Sequence, residues 1–299
     1  MISKKHKHIK IRGVSYGYRI WEANVQSEVD SEVEAESNME LEDEVNVESE
    51  KLVILLHGFM GSGGIFEDLA RELARNVRVI ALDLLGHGSS EGAEMHYRFS
   101  TKEQVADLRT FIERMNDRPV ILMGYSMGAR LALSFAVKYP QLLAGLVLES
   151  GSFGIEDPTE AQTRQSLDGH RADEIQANFN DFLVRWNAMP LFQSVHSKAL
   201  PSEYASIQKF QDPFWMANSL LGFGTGTMPC LHHELAKLEV PTQLLVGGDD
   251  SKFTAINQRM HQQIPNSYLS IIRKSGHRVH VDAPEQWLQT VQPFIQYYL

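Results

Sequence analysis

A serine lies in a glycine-rich pentapeptide, Gly124-Tyr125-Ser126-Met127-Gly128, which has the form G-x-S-x-G. The apolar stretch Pro119–Met123 before it predicts a buried strand, and Met127–Lys138 after it predicts a helix. A turn that joins a strand to a helix so tightly needs small neighbours, which the flanking glycines supply. The serine oxygen would then be exposed at the carboxyl end of the sheet, where open α/β sheets bind ligands. The context therefore favours a reactive Ser126 over a buried serine in an incidental turn.

Partners for this serine follow two later apolar stretches. Thr242–Val246 leads into Asp250, and Ser267–Ile272 leads into His277. In the chain order serine, acid, histidine, an imidazole can take the serine proton while a carboxylate fixes the imidazole tautomer and stabilises its charged form. We therefore predict Ser126, Asp250 and His277 as a catalytic triad.

The acid of this triad has two alternatives. Asp249 directly precedes Asp250 and follows the same predicted strand. Glu149 ends an earlier predicted strand, so the order along the chain does not exclude it.

Two backbone amides are candidates for stabilising an oxyanion. His57 and Gly58 end the first buried stretch, and a turn there would aim the Phe59 N–H at a developing negative charge. The Met127 N–H, at the start of the helix that follows the serine, would supply the second donor.

The segments that carry these residues alternate between strand and helix patterns. Ile9–Trp21 reads as a hairpin that turns at Gly13 or Gly17. Further strands are predicted at Lys51–Leu56, Val77–Leu82, Pro119–Met123, Leu142–Glu149, Thr242–Val246 and Ser267–Ile272. Helices are predicted at Ile65–Arg75, Thr101–Met115, Met127–Lys138 and Pro284–Tyr298. Buried strands that alternate with helices indicate a mostly parallel sheet flanked by helices, and with the serine turn they predict an α/β-hydrolase fold.

Residues 153–226 interrupt this alternation, because they contain no strong strand pattern and many aromatic side chains. We predict that they form a helical cap inserted between late strands, with core parts 1–152 and 227–299 on either side. Most of the aromatic residues would pack the cap, and a few would line a pocket below it. Helical periodicity is present in Ala161–Leu167, Ala172–Trp186 and Glu203–Ala217.

The negative charge of the chain is concentrated in one segment. Residues 22–50 hold 12 of the 38 acidic side chains and no Lys or Arg. Removing those 12 leaves 26 acidic against 28 basic side chains, so the formal charge changes from −10 to +2. The segment has no aromatic residue and cannot bury enough apolar surface to offset the entropy of ordering. It is predicted to be a flexible, solvated insertion rather than a binding tail.

Several classes of protein are not supported by the sequence. No apolar run approaches the roughly 18–20 residues that span a bilayer, so stable membrane insertion is not expected. No P-loop, dinucleotide fingerprint or basic nucleic-acid patch is present. Histidines 6, 8, 232 and 233 lack convincing zinc-ligand spacing, and we predict neither metal nor cofactor. The single cysteine, Cys230, and the absence of a secretory pattern favour the cytoplasm, while the oligomeric state stays open.

Several longer sequence motifs resemble those of one particular family within this fold, and they cover most of the chain from Leu52 onward. They are LLHGFMGSGGIF (Leu55–Phe66), GYSMGARLAL (Gly124–Leu133), LVLESGS (Leu146–Ser152), RQSLD (Arg164–Asp168), FLVRWNAMPLFQS (Phe182–Ser194), GGDDSKF (Gly247–Phe253) and GHRVHVDAP (Gly276–Pro284). Together they resemble 2-succinyl-6-hydroxy-2,4-cyclohexadiene-1-carboxylate synthase, a lyase of menaquinone biosynthesis.

This resemblance implies a 1,4-elimination of pyruvate from 2-succinyl-5-enolpyruvyl-6-hydroxy-3-cyclohexene-1-carboxylate, without an acyl-enzyme or a cofactor. Ser126, deprotonated through His277, would act as the base. The substrate is a small polycarboxylate with three carboxylates, which planar guanidinium groups bind well. The residues that match the family's substrate-binding positions are Arg130, Arg164, Tyr125, Trp186 and Phe192.

Two rival functions are also compatible with the sequence. A carboxylesterase or a carbon–carbon-bond hydrolase could use the same triad, and a non-catalytic ligand-binding protein could use the same scaffold. One departure from the family bears on the pocket, because Arg278 follows the histidine where a smaller residue is expected.

Overall fold

Eight strands form one sheet in residues 2–23, 51–196 and 199–299, which are the residues that the computed structural model describes. The strands are β1 (Ile2–Ile11), β2 (Val14–Ala23), β3 (Leu52–Leu56), β4 (Arg78–Leu82), β5 (Val120–Tyr125), β6 (Leu143–Glu149), β7 (Thr242–Gly247) and β8 (Ser267–Ile272). Their spatial order is β1-β2-β4-β3-β5-β6-β7-β8.

The central part of the sheet is parallel and covered on both faces. Strands β3 to β8 pair in parallel, whereas β2 is antiparallel to β4 and β1 is antiparallel to β2. In β3, Ile54 and Leu56 belong to one apolar core, while Val53 and Leu55 belong to the core on the opposite face. Successive side chains of a strand point to opposite faces, so a strand buried on both sides is apolar throughout. The prediction of a mostly parallel sheet flanked by helices is confirmed.

The hairpin at the amino end is longer than the predicted one. Arg12 and Gly13 both have positive φ, of 47° and 90°, so the turn lies at Gly13 and not at Gly17. Strand β2 runs to Ala23, so the predicted insertion 22–50 is wrong for its first two residues. The rest of that insertion, residues 24–50, lies outside the described residues.

The core helices follow the sequence pattern closely, with three differences. They are α1 (Glu67–Leu73), α2 (Thr101–Met115), α3 (Met127–Lys138), α8 (Ser251–Gln263), α9 (Val279–Asp282) and α10 (Pro284–Tyr298). Helix α1 is shorter than predicted, because Gly63–Phe66 forms a separate 3₁₀ turn before it. Helices α8 and α9 are absent from the prediction. Among the described residues, no helix combines the length and the apolar character needed to cross a membrane.

The described residues between β6 and β7 form four α-helices in the predicted cap region, but the limits of these helices differ from the prediction. They are α4 (Pro158–Ala177), α5 (Phe179–Asn187), α6 (Ser202–Lys209) and α7 (Pro213–Phe223). Ala161–Leu167 and Ala172–Trp186 are wrong as separate helices, because α4 runs through the gap between them and ends before Asn178, the N-cap of α5. Glu203–Ala217 is wrong as a single helix, because Asp212 and Pro213 start a new one. The domain limits 153–226 stay a prediction.

Candidate active site

Ser126 lies on the sharp turn between β5 and α3, with φ 51° and ψ −104°. This left-handed backbone is costly for a residue with a Cβ, and neighbouring contacts must hold it. Its amide donates to the Glu149 carbonyl at 2.9 Å. The two flanking glycines leave the necessary space: a Cβ on Gly124 would lie 2.4 Å from the Gly128 backbone, and one on Gly128 would lie 2.2 Å from the Leu56 oxygen.

The structure brings Ser126, His277 and Asp250 into one hydrogen-bonded chain. His277 Nε2 lies 3.0 Å from Ser126 Oγ, and His277 Nδ1 lies 2.6 Å from Asp250 Oδ2. An ionised carboxylate only accepts hydrogen bonds, so Nδ1 carries the proton and Nε2 is free to accept from the serine hydroxyl. The Phe253 N–H donates to the other carboxylate oxygen of Asp250 at 3.2 Å, which orients the acid from the start of α8.

The two alternative acids have other partners. Asp249 Oδ2 lies 2.7 Å from His196 Nδ1, on the cap side of the site. Glu149 is buried and accepts from His280 Nδ1 at 2.7 Å and from Trp287 Nε1 at 2.8 Å. Neither carboxylate has a hydrogen bond to the histidine of the triad-like chain.

The two residues whose amides are predicted as oxyanion donors belong to the lining of one cavity. Phe59 and Met127 line it together with Ser126. Within the described ranges, neither amide has a protein acceptor among the backbone hydrogen bonds. His57 braces the loop before Phe59, because its Nδ1 donates to the Gly58 carbonyl at 2.7 Å and its Nε2 accepts from the Leu84 amide at 3.0 Å.

The cavity above the serine has a volume of about 620 Å³, which suits a small organic molecule. Its lining comes both from the core, for example Ser126 and Phe253, and from the region between β6 and β7, for example Arg164 and Trp186. All five residues predicted to bind substrate line the cavity, namely Tyr125, Arg130, Arg164, Trp186 and Phe192. Two further arginines, Arg171 and Arg278, line it as well.

Arg130 lines this cavity and has no acidic ion-pair partner among the described residues. Its Nη1 donates to the Phe223 carbonyl at 2.9 Å, and its guanidinium lies 4.7 Å from the centroid of the Phe223 ring. Burial lowers the pKa of Arg130 to about 9, and the charge of Arg164 lowers it further than Asp168 raises it. An incoming carboxylate would therefore be favoured beside Arg130.

Arg164 does have an acidic partner. Its Nε donates to both oxygens of Asp168, at 3.0 Å and 2.9 Å, one turn along α4. Arg171 donates to the same carboxylate at 3.2 Å. Two guanidinium groups thus share one acid, which leaves a net positive charge on this wall of the cavity.

The aromatic residues connect the cap to the triad-like chain. The ring of Trp186 lies 5.3 Å from that of Phe59 and 5.8 Å from that of Phe192. Phe192 in turn lies 5.9 Å from His277. Tyr125 is buried beneath the site, with its ring 5.6 Å from His277, and burial raises the pKa of its hydroxyl well above the usual value.

The sequence interpretation missed several lining residues. Arg171 shares a helical face with Arg164 and Asp168, and that spacing was a signal that could have found it. Phe253, whose ring lies 4.4 Å from that of His277, follows the unpredicted start of α8. In the described part of the chain, no three His, Cys, Asp or Glu side chains converge as a metal site.

Comparisons with known proteins show the family of this chain. A family model described as the alpha/beta hydrolase fold matches residues 51–284, and the chain is therefore an α/β-hydrolase-fold protein. A Bacillus subtilis (strain 168) protein with the provisional name 2-succinyl-6-hydroxy-2,4-cyclohexadiene-1-carboxylate synthase is 37% identical over 83% of this chain and 91% of its own length. This chain belongs to that synthase family.

Two further relatives support the assignment. The Serratia proteamaculans (strain 568) protein named 2-succinyl-6-hydroxy-2,4-cyclohexadiene-1-carboxylate synthase is 27% identical over 81% of this chain and 92% of its own. A solved structure of MenH from S. aureus superposes with a TM-score of 0.79 at 32% identity, covering 85% of this chain and 96% of that one.

Proposed function

We propose that the protein is a carbon–oxygen lyase that eliminates pyruvate from 2-succinyl-5-enolpyruvyl-6-hydroxy-3-cyclohexene-1-carboxylate. The product would be 2-succinyl-6-hydroxy-2,4-cyclohexadiene-1-carboxylate, the compound in the names of its relatives. The observation that carries the proposal is the pairing of a triad-like chain with a cationic cavity. Four arginines line that cavity and share only Asp168 as an ion-pair partner among the described residues.

In the proposed reaction, Ser126 acts as a base and not as a nucleophile. His277 Nε2 takes the hydroxyl proton, and the serine oxygen removes a ring proton beside the succinyl carbonyl. The electrons of that C–H bond form a new ring double bond and shift the existing one, and the C–O bond to the enolpyruvyl group breaks. The expelled enolate takes up a proton and becomes pyruvate.

Asp250 and the two free amides would stabilise the charges that develop. Asp250 fixes the proton on Nδ1 of His277 and favours the imidazolium form. The amides of Phe59 and Met127 would donate to the enolate-like oxygen of the succinyl group. The aromatic contacts that join Trp186 and Phe192 to the core would limit the access of water, so that elimination prevails over hydrolysis.

We also propose a cytoplasmic location and a small polycarboxylate as the partner. Cys230 is a free and exposed thiol, which a reducing compartment would preserve.

The proposal is tested by adding the enolpyruvyl substrate to the purified protein and following pyruvate through a coupled lactate dehydrogenase. We expect wild type to release pyruvate and Ser126→Ala to lose that activity. Asp250→Asn should lower kcat by about 10³- to 10⁴-fold, because the amide favours the wrong imidazole tautomer. Asp249→Asn is the matched control and should stay near wild type, because Asp249 pairs with His196 instead.

Two results would count against the lyase. Wild type that releases no pyruvate but hydrolyses neutral esters would indicate a carboxylesterase. Full pyruvate release by Ser126→Ala would remove the serine from the mechanism.

A further inference from the structure

Arg278 is a buried arginine at the seam between the core and the cap. It directly follows His277, is 9% exposed and lines the cavity above Ser126. Its guanidinium carbon lies 3.9 Å from the centroid of the Phe192 ring and 5.6 Å from that of the Tyr204 ring. Both aromatic residues belong to the predicted cap region, so the guanidinium packs against that region beside the cavity.

The hydrogen bonds of Arg278 position its charge without neutralising it. Its Nη2 donates to Asn187 Oδ1 at 3.1 Å. The Asn187 amide is held in turn by Gln208, whose Oε1 accepts from Asn187 Nδ2 at 2.8 Å. In the described residues, no Asp or Glu forms an ion pair with Arg278, and its buried Nε has no hydrogen-bond partner. A buried guanidinium with an unused donor is costly unless an anion completes it.

The charges around the cavity are consistent with such an anion. Arg164 and Arg171 together exceed Asp168 by one positive charge. Arg130 and Arg278 each add one more, because neither has an acidic partner among the described residues. These four arginines therefore exceed Asp168 by three positive charges. The lining also contains Lys252, Asp249 and Asp250, whose formal charges sum to −1, so the groups together carry a formal charge of +2, which favours a polycarboxylate.

We infer that Arg278 is a substrate-binding residue that holds one carboxylate of the tricarboxylate substrate, next to the rings of Phe192 and Tyr204. The inference rests on the proposed function. The planar guanidinium offers its free Nε and a terminal nitrogen to the two oxygens of a carboxylate. This contact would make Arg278 a determinant of specificity, because a neutral ester would leave the donor unpaired.

The experiment compares Arg278→Met and Arg278→Lys with wild type in the pyruvate-release assay. Arg278→Met should raise KM about 10- to 100-fold, as expected for the loss of charge-assisted hydrogen bonds. Its kcat should change by less than about threefold, because the contact is made equally in the ground state and the transition state. Arg278→Lys keeps the charge but loses the planar fork, so its KM should be intermediate. It also serves as the second variant if the methionine variant fails to fold.

Two controls separate binding from structural damage. Arg185→Met removes an arginine of α5 that does not line the cavity and pairs with Glu174 at 3.5 Å, so its KM should equal that of wild type. Labelling of Ser126 by uncharged phenylmethanesulfonyl fluoride should proceed equally in wild type and Arg278→Met, because it needs the triad but no carboxylate contact.

Three outcomes would contradict the inference, and they differ in what they mean for the proposed function. If wild type is active and both Arg278 variants keep its KM, the inference fails while the proposed function stands. If the sulfonyl fluoride reaction slows as much as turnover, Arg278 acts by positioning His277 and the inference fails. If wild type releases no pyruvate, the proposed function fails, and the inference fails too because it rests on that function.

Discussion

His57 and His87 lie fully buried beside the loop that leads to Phe59, and both are held neutral. Burial lowers the pKa of His57 to about 4 and that of His87 to about 3. The two nitrogens of His57 are already engaged, one as a donor to Gly58 and one as an acceptor from Leu84. A second proton on His57 would place two N–H groups against each other, so the native packing disfavours protonation.

This geometry predicts that the protein loses stability as the pH falls from 6.5 towards 4. The folded pKa of His57 is below its unfolded value, so the unfolded state binds the extra proton in that window and is favoured by it. Between pH 7.5 and 5 the free energy of unfolding should fall by about 2 kcal/mol for each of the two histidines. Urea unfolding at the two pH values measures this loss, and His57→Gln should reduce it by about 2 kcal/mol.

An exposed histidine provides the control for this measurement. His170 lies on the surface of α4, and His170→Gln should keep the pH dependence of wild type. An unchanged slope in His57→Gln would contradict the role given to the buried imidazole.

The residue types of the triad followed from the sequence, but the choice of acid did not. Asp249 and Asp250 have the same chain order and the same chemistry, and only the turn after β7 decides which carboxylate faces His277. Asp250 is the N-cap of α8, a helix that the sequence pattern did not predict. Because α8 was not foreseen, the orientation of its N-cap could not be foreseen either.

At the scale of elements, the sequence predicted the core better than the cap. The limits of α2, α3, β8 and α10 match the prediction, since each has a regular apolar pattern and clear end signals. The cap helices differ, because aromatic residues on several faces obscured their periodicity. Pro213 after Asp212 was the missed signal, since a proline commonly occupies the first position of a helix.

The Asp212 cap leads to a prediction about α7. Asp212 Oδ1 accepts from the Phe214 amide at 2.8 Å and from the Trp215 amide at 3.2 Å. Asp212→Ala removes both acceptors, so the free energy of unfolding should fall by about 1 kcal/mol. Asp212→Asn retains an acceptor and should stay close to wild type in the same denaturation experiment.

The control for this prediction is an exposed aspartate away from a helix start. Asp173 lies inside α4, and Asp173→Ala should change the stability by less than about 0.5 kcal/mol. Equal losses in Asp212→Ala and Asp173→Ala would show that the cap contact is not what stabilises α7.

At the scale of the whole molecule, the cap is fixed to the core by buried amide side chains. Gln211 Nε2 donates to the Gly61 carbonyl at 3.0 Å, and its Oε1 accepts from the Gly88 amide at 3.0 Å. Asn218 Nδ2 donates to the carbonyls of Ala93 and Glu94, each at 3.2 Å. These links join residues more than one hundred positions apart, so single-sequence periodicity could not reveal how the cavity is closed.

The order of the strands predicts that the acidic segment can be shortened. Strand β4 lies between β2 and β3, and Trp21 and Leu52 pair with its adjacent residues Val79 and Arg78. The gap from β2 to β3 is therefore about 10 Å, which six extended residues can bridge. Replacing residues 24–50 by a six-residue Gly/Ser linker removes 11 acidic side chains, so the formal charge changes from −10 to +1.

We expect this shortened protein to fold and to keep its pyruvate-release activity within about threefold, because the active-site residues lie outside the segment. Isoelectric focusing, thermal unfolding and the coupled assay measure the three outcomes. A collapse of activity in a protein that still unfolds cooperatively would assign the segment a role in the reaction.

The turn that bears Ser126 depends on the absence of a Cβ atom at Gly124 and Gly128. Each of these glycines has only a hydrogen atom where any other residue has a side chain. Because of this, helix α3 can approach the backbone of β3. The direction of the Ser126 hydroxyl is consequently set by the close packing of β3, β5 and α3, and not by the pentapeptide sequence alone. The same pentapeptide grafted onto a looser scaffold would relax to an ordinary bend and leave its serine inert.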